Sequence, residues 1–334
     1  MRAPSFWWRA SGFAAALLAP AAVLYGAVAA RRMDERGCEV GIPVVCIGNL
    51  TLGGAGKTPT ALTVGRLLGA AGRRPGFLTR GYGGSLDGPI MVDAARHVAR
   101  EVGDEALLLA RAAPTIVSRD RPAGARALCA AGTAVVVMDD GFQNPSLVKH
   151  LAILVIDARR AIGNGRVFPA GPLRAPLERQ LARAQALVVI GEGSAAAPVA
   201  TAARAGGLAV FTGRLAPDAA AVAALAGDRV LAFAGIGDPE KFFATLDEAG
   251  VAAPVRRSFP DHYRYGASDA AALLAEAERN RLVLLTTEKD GARLAGDDPV
   301  AALARQARAL PVRLVLDDEE RFAEFLLAGL AARA

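Results

Sequence analysis

The sequence predicts an α/β protein: a doubly wound, mainly parallel sheet, a second and smaller α/β domain, and an N-terminal membrane-associated helix. Three observations predict it. Short β-branched runs alternate with helical stretches along most of the 334 residues. A glycine-rich turn at 48–58 joins the first of these runs to a helix. Ahead of both, Gly12–Ala30 carries no charge and is bracketed by Arg9 and by Arg31-Arg32.

The strand candidates come first. Ile42–Ile47 (IPVVCI) reads as a buried strand running into the glycine-rich turn, and Pro59–Ala71 as the helix that follows. Pro75–Thr79, Thr115–Val117, Ala134–Met138, Leu151–Ile156 and Ala186–Ile190 continue the series. Each is bounded by Gly, Asp or a turn. A strand buried on both faces has no reason to alternate polar and apolar residues, so near-continuous apolar runs suit a parallel sheet covered on each side. Strand–helix alternation in this order builds a doubly wound sheet. Residues 192–199, rich in Gly, Ser, Ala and Pro, read as a loop or linker. A second set of strands follows at Leu208–Thr212, Val230–Ala234, Ala253–Arg257, Leu282–Thr286 and Val312–Leu316, with helices at Pro239–Ala249, Ala267–Arg279 and Glu319–Ala332. This set is expected to form the smaller domain, with the boundary near 190–210.

Composition narrows the function classes. Hydrophobic residues make up 53% and charged residues 22%, which fits a folded chain and excludes a disordered one. The net charge of +6 is spread along the sequence, which fits mild attraction to phosphates or acidic lipid. No basic stripe interleaved with aromatics appears, so nucleic-acid binding is not supported. Cys38, Cys46 and Cys129 form no C-x-x-C pair; neither a zinc site nor a disulfide framework is suggested, and unpaired thiols fit a reducing compartment.

The apolar segment admits three readings. Its basic start and Ala-Val-Ala at 27–29 superficially fit a signal peptide. Its length fits a span, although Ala and Gly make it weakly hydrophobic and Pro20 interrupts it. The reading adopted is a helix or hairpin lying on the membrane, with Phe6, Trp7 and Trp8 at headgroup depth and arginines on the phosphates. A nucleotide site starts shortly after it, and export would separate that site from ATP.

The nucleotide site is GNLTLGGAGKT, residues 48–58. A strand precedes it and a helix follows, the context that turns this motif into a phosphate-binding loop and the fold into a P-loop NTPase-like one. Glycines let backbone N–H groups curl around phosphate oxygens, and the helix N-terminus adds unpaired donors. Thr51, Leu52, Gly53, Gly54, Ala55, Gly56, Lys57 and Thr58 are the nucleotide contacts, with Lys57 on the β- and γ-phosphates and the Thr58 hydroxyl on Mg²⁺. One position departs from the usual spacing: Thr51 stands where the first glycine belongs.

A second signal is VVVMDDGFQ, residues 135–143, an apolar strand ending in two carboxylates. Parallel strands aim their C-terminal ends at the ligand crevice, where an aspartate holds Mg²⁺ directly or through water. Asp139 and Asp140 are therefore the metal candidates beside Thr58. Asp157, which ends LAILVID, reads as a turn or cap residue. These residues point to an ATP-dependent kinase. It divides into an N-terminal membrane-associating segment (1–32), a P-loop kinase domain (33–200) and a smaller C-terminal α/β domain (201–334).

Seven segments in order resemble one family, the tetraacyldisaccharide 4′-kinases: GNLTLGGAGKTPT (48–60), LTRGYGG (78–84), VGDEALLLA (102–110), DDGFQN (139–144), FPAGPLR (168–174), DHY (261–263) and TTEKD (286–290). The resemblance runs over most of the chain, and threonine at the first glycine position looks like this family's own version. It implies transfer of the γ-phosphate of ATP, with Mg²⁺, to the 4′-hydroxyl of a tetraacylated glucosamine disaccharide 1-phosphate, at the cytoplasmic face of the inner membrane. By the same resemblance Asp104 is the catalytic carboxylate, paired with His262. A carboxylate–imidazole pair suits a sugar hydroxyl, a poor nucleophile whose proton must be accepted during transfer. The resemblance also makes Asp139, Asp140 and Gln143 metal and substrate-phosphate residues, Arg80 and Arg174 anion contacts, Tyr82 a sugar contact and Lys289 a nucleotide contact. Where the family often has Glu after G-P-L-R, this chain has Ala175.

Two other functions compete. A P-loop kinase for a soluble small molecule would make the apolar N-terminus incidental. A nucleotide switch would need a guanine-selecting N-K-x-D, which is not seen in the expected region.

Overall fold

The computed structural model describes residues 4–10, 12–296 and 298–331. Thirteen strands fall into two sheets among these residues. They are β1 (Val44–Asn49), β2 (Pro75–Thr79), β3 (Ile90–Met91), β4 (Thr115–Val117), β5 (Val135–Asp139), β6 (Leu151–Asp157), β7 (Ala186–Ile190), β8 (Ala209–Pro217), β9 (Arg229–Ala234), β10 (Ala252–Ser258), β11 (Val283–Thr287), β12 (Arg308–Leu310) and β13 (Val312–Leu316). Nine form a sheet in the order β13-β8-β7-β6-β1-β5-β2-β4-β3, parallel except for β3 and β13 at its edges. Four form a smaller all-parallel sheet, β10-β9-β11-β12.

The large sheet is buried on both faces, and β1 makes the reason visible. Val44 and Cys46 pack into one core, Val45 and Ile47 into the other. The phosphate-loop helix, Lys57–Ala70, covers one face with Ala61, Val64 and Leu68, beside Phe322, Leu326 and Leu330 of the last helix. The helices Arg121–Ala130 and Ala197–Ala205 cover the other. With two apolar faces to satisfy, the strands cannot alternate, which is why their runs read so plainly.

The expected strands agree with those observed to within two residues, except that β8 runs on to Pro217, five residues past the expected Thr212, and the short β3 and β12 were not expected; the grouping also differs. β8 and β13 were expected in the smaller domain. They instead extend the large sheet, β8 parallel to β7 and β13 antiparallel to β8. The boundary at 200/201 therefore does not separate the sheets: the smaller one lies within 229–310 and the chain then returns to the larger. Periodicity cannot reveal this, because a strand's pattern reports burial and not its neighbour. The last helix is described to Ala331; the expected end at Ala332 lies outside the described residues.

The N-terminal segment folds as two helices, Phe13–Leu17 and Ala19–Met33, with Pro20 tolerated in the first turn of the second. No helix among the described residues is long and apolar enough to cross a membrane. Phe13, Leu17, Val23, Leu24 and Val28 are instead exposed in a row of apolar side chains. Trp7 is buried, its indole N–H donating to the Pro169 carbonyl at 3.0 Å.

Two ion pairs fasten the small sheet's first helix, Pro239–Glu248, and its leading loop to the large sheet. Lys241 meets Asp157 at 2.5 Å and Arg160 meets Asp238 at 3.0 Å. Asp157 also accepts the backbone N–H groups of Arg159 and Arg160, the turn role expected of it.

Candidate active site

The crevice opens at the C-terminal ends of β1, β5 and β6, where the strand order reverses around β1. The glycine-rich turn leaves β1 there. Gly56 has φ +92°, and a Cβ on it would lie 2.6 Å from Ile190 Cδ1, so backbone angle and close packing both require glycine. Gly53, at φ +106°, needs glycine for its backbone angle alone. Thr51 needs none: it forms an antiparallel bridge with Leu173, which explains a threonine at the first position of the motif.

The segment 168–174 braces this turn. Leu52 N–H donates to Pro172 O at 2.8 Å, Arg174 N–H to Leu50 O at 2.9 Å, and Arg174 Nε to Thr51 O at 3.0 Å. Ala175 is fully buried in the core, its carbonyl accepting from Gln180 at 2.7 Å. No carboxylate at this position reaches the crevice.

Lys57 and Thr58 open the helix and face the end of β5. Thr58 Oγ1 donates to Asp139 Oδ2 at 3.0 Å, and Lys57 Nζ lies 3.8 Å from Asp140 Oδ2. The two carboxylates are driven apart. Burial, the nearby Glu105 and Asp140 raise Asp139 to about 7 despite Lys57. Burial would raise Asp140 too, but Lys57 and Arg174 hold it below the ordinary carboxylate range. Asp140 sits at φ +55°, a left-handed conformation costing a non-glycine residue on the order of 1 kcal/mol or more. Asp139 Oδ1 is buried with no hydrogen-bond partner.

These residues fit Mg²⁺. The donors are hard oxygens, and the orphaned Asp139 oxygen supplies the unmet ligand capacity a cation would fill. Among the described residues no three or more His, Cys, Asp or Glu side chains could hold a metal by themselves. That suits an ion bound by one or two carboxylates together with nucleotide phosphates.

Beside the phosphate loop is a cavity of about 640 Å³. Arg80, Arg119, Arg121, Arg174, Asp140 and Gln143 line it, and Tyr25, Ala29 and Arg32 of the N-terminal helix close one side. Gln143 braces as well as lines: its amide nitrogen donates to Asn49 O at 2.8 Å and to Gln180 Oε1 at 2.9 Å. Arg80 lies over the ring of Tyr82, 5.3 Å from its centroid.

The third group joins the two sheets. Asp104 starts the helix Asp104–Ala110 and is 3% exposed. Its Oδ2 lies 3.8 Å from His262 Nδ1, and the His262 ring packs edge-on against Tyr82 at 4.7 Å. Burial works against the Asp104 charge, yet Arg293, Lys289 and His262 hold its carboxyl below the usual range. His262 is left-handed at φ +54°. The other histidines lie elsewhere: His150 Nδ1 accepts from Val44 N–H, and His97 sits in an exposed turn beside Asp93.

The structure thus brings Lys57, Thr58, Asp139, Asp140 and Arg174 together, and Asp104, His262 and Tyr82 together beside them. Lys289 lies beside both groups, its charge acting on Asp104 and Asp139, and its Nζ donates to Glu105 Oε1 at 2.6 Å across the junction between the sheets. Burial would lower its pKa, but Glu105 and Asp104 raise it. Sequence reasoning missed Glu105, Arg121 and Arg293. Arg293 donates to Asp104 and to the Gly235 carbonyl; its one signal is the four-residue spacing from Lys289 on the helix Glu288–Leu294. Arg121 donates to Ser118 O and Asp140 O while its Nε is buried without a partner, and burial lowers its pKa to about 10. Nothing in the sequence distinguished it from its neighbouring arginines.

A family model for tetraacyldisaccharide-1-P 4′-kinases matches residues 14–331. The chain belongs to this family. A tetraacyldisaccharide 4′-kinase of Methylobacterium sp. (strain 4-46) is 57% identical over 333 residues, covering 99% of this chain and 98% of that protein. Another, from Rhodopseudomonas palustris (strain BisA53), is 55% identical over 332 residues, covering 99% and 97%. Among solved structures, the "apo" form of LpxK from Aquifex aeolicus in complex with ATP superposes with a TM-score of 0.71 at 25% identity, covering 95% of this chain and 99% of that one. The matched residues, 14–331, span all seven segments quoted above.

Proposed function

We propose that this protein is a tetraacyldisaccharide 4′-kinase. It transfers the γ-phosphate of ATP to the 4′-hydroxyl of a tetraacylated glucosamine disaccharide 1-phosphate, at the cytoplasmic face of the inner membrane. One observation carries the acceptor: arginines and Asp140 line a cavity that Tyr25, Ala29 and Arg32 of the N-terminal helix also wall, and the same helix exposes apolar Val23, Leu24 and Val28 outside that cavity. An acylated sugar phosphate is anionic at one end and apolar at the other; the arginine-lined cavity suits the first, and the apolar surface beside it the second. A soluble acceptor leaves the apolar row without a purpose.

The roles follow from position. Backbone N–H groups of 53–56 and Lys57 hold the phosphates of ATP. Thr58, Asp139 and Asp140 would hold Mg²⁺, which supplies charge neutralisation for the transferring phosphoryl group when bound. Asp140 lies 3.8 Å from Lys57 and 3.3 Å from Arg174, which keeps both cations aimed at the crevice. Asp104 and His262 accept the hydroxyl proton. Asp104 stays ionised because Arg293 is beside it, so it is ready as an acceptor or as a partner for imidazolium. Arg80, Arg121 and Arg174 orient the anionic substrate, with guanidinium forks matched to phosphate. Gln143 holds the cavity's shape through Asn49.

The test is transfer of labelled phosphate from ATP to detergent-dispersed tetraacyldisaccharide 1-phosphate, with Lys57→Ala as control. Transfer that disappears in the variant supports the reading. ATP binding without lipid phosphorylation would overturn it.

A further inference from the structure

His262 lies between two carboxylates, and only one has been given a role. Its Nδ1 is 3.8 Å from Asp104 Oδ2; its Nε2 is 3.8 Å from Asp261 Oδ1. Asp104 is buried and belongs to the large-sheet side, whereas Asp261 is about one-third exposed and precedes His262 in the same loop. That loop is a firm platform. Tyr263 packs against Phe259 and Tyr265, and the Tyr265 hydroxyl donates to Asp290 at 2.9 Å. The other Asp261 oxygen faces Gly237, where an added Cβ would lie 3.3 Å from it and 3.8 Å from the Gly54 nitrogen. Asp261 therefore stands at the mouth of the phosphate loop, with the imidazole between it and Asp104.

Resting on the Asp104–His262 reading above, we propose that Asp261 is a positioning residue for His262, which fixes the ring from its Nε2 side and carries the transferred proton out to solvent. During transfer the acceptor O–H bond breaks and its electron pair forms the new O–P bond. The bond between the γ-phosphorus and the bridging oxygen breaks, and its pair leaves on ADP. The proton passes to the Asp104–His262 pair, which gives an imidazolium with a carboxylate at each nitrogen. His262 then releases its Nε2 proton to Asp261, and Asp261 releases it to water. A buried Asp104 alone has no such exit. The groups facing the ring are Asp104, backed by Arg293 and Lys289, then Tyr82 with Arg80 over it, and Asp261. Of these, Asp261 is the acid on the solvent side.

The experiment measures kcat, and KM for ATP and for lipid separately, in the parent protein and in Asp261→Asn, Asp261→Glu and His262→Ala. Expected for Asp261→Asn is a roughly tenfold loss in kcat, with KM values within about twofold of the parent. Asp261→Glu should recover most of the rate, and Asp261→Asn added to His262→Ala should cost nothing further. An unchanged kcat, or a loss confined to KM for ATP, would overturn the inference. If His262→Ala itself turns over normally, the catalytic pair is wrong; if it is inactive while Asp261→Asn is normal, only Asp261 has been misassigned.

Discussion

Arg293 donates to Asp104 across the junction of the two sheets through Nε at 2.8 Å, a terminal nitrogen lies 2.6 Å from the same oxygen as an ion pair, and both side chains are buried. The same guanidinium reaches Asp290 at 2.8 Å and the Gly235 carbonyl at 2.7 Å. One arginine thus ties the proposed proton acceptor to the loop that faces the phosphate turn. Removing one partner from a buried pair leaves an uncompensated charge, which costs about 3–5 kcal/mol. Arg293→Met is expected to lower the melting temperature and cut kcat at least tenfold. Adding Asp104→Asn should recover much of the stability and none of the activity. Thermal unfolding and initial rates on the single and double variants check both halves.

The pH dependence of stability has a definite direction. Burial opposes ionisation of Asp104 and Glu105, but Arg293 and Lys289 override it, so both folded carboxyls lie below their unfolded values of 3.8 and 4.5. A depressed carboxyl contributes stability that is full above the unfolded value and lost as pH falls through the folded one. Stability should therefore hold near neutrality and decline below about pH 4.5. In Asp104→Asn/Glu105→Gln the decline should be shallower, as read by denaturant unfolding across the acid range.

The phosphate turn separates conformational need from motif. Gly56→Ala meets both a positive φ and Ile190 Cδ1 at 2.6 Å, so ATP binding should be lost or nearly so. Gly53→Ala meets only the φ penalty and should weaken binding less. Thr51→Gly, which restores the usual first glycine, should bring no gain. Thr51 is extended, bridged to Leu173, and glycine there loses about 0.5–1 kcal/mol of stability. Nucleotide titration of the three variants orders them.

What was legible in the sequence was whatever carries its own local signal. β1 and β5 announced themselves because two covered faces force continuous apolar runs. Lys57, Thr58, Asp139 and Asp140 followed because those strands end at the crevice. Long-range pairing left no such trace. β8 and β13 read as strands of the second domain because nothing in VRLVL says that its partner is Gly213–Pro217 and not Val283–Thr287. The motif around Lys289 fixes its helix but not the helix's neighbour, so its contact with Glu105 left no trace in the sequence. Arg293 and Asp261 acquire meaning only once the small sheet is set against Asp104 and the phosphate turn.

The N-terminal helix gives the last prediction, because it does two separable things. Tyr25, Ala29 and Arg32 wall the cavity, while Leu24 and Val28 face outward at 70% and 53% exposure. Burying apolar area is worth about 25 cal/mol per Å², so charged replacements on the outward face should weaken vesicle attachment by an order of magnitude or more without touching the site. Leu24→Asp/Val28→Asp is thus expected to release the protein from vesicles while it phosphorylates detergent-dispersed lipid at near-parent kcat. Arg32→Ala should behave in the opposite way, staying on vesicles but raising KM for the lipid several-fold in either setting, since its charge faces the cavity. Vesicle sedimentation paired with activity in both settings distinguishes the two. If the outward pair lost activity in detergent as well, the helix would be acting through the fold of the cavity wall and not through the membrane.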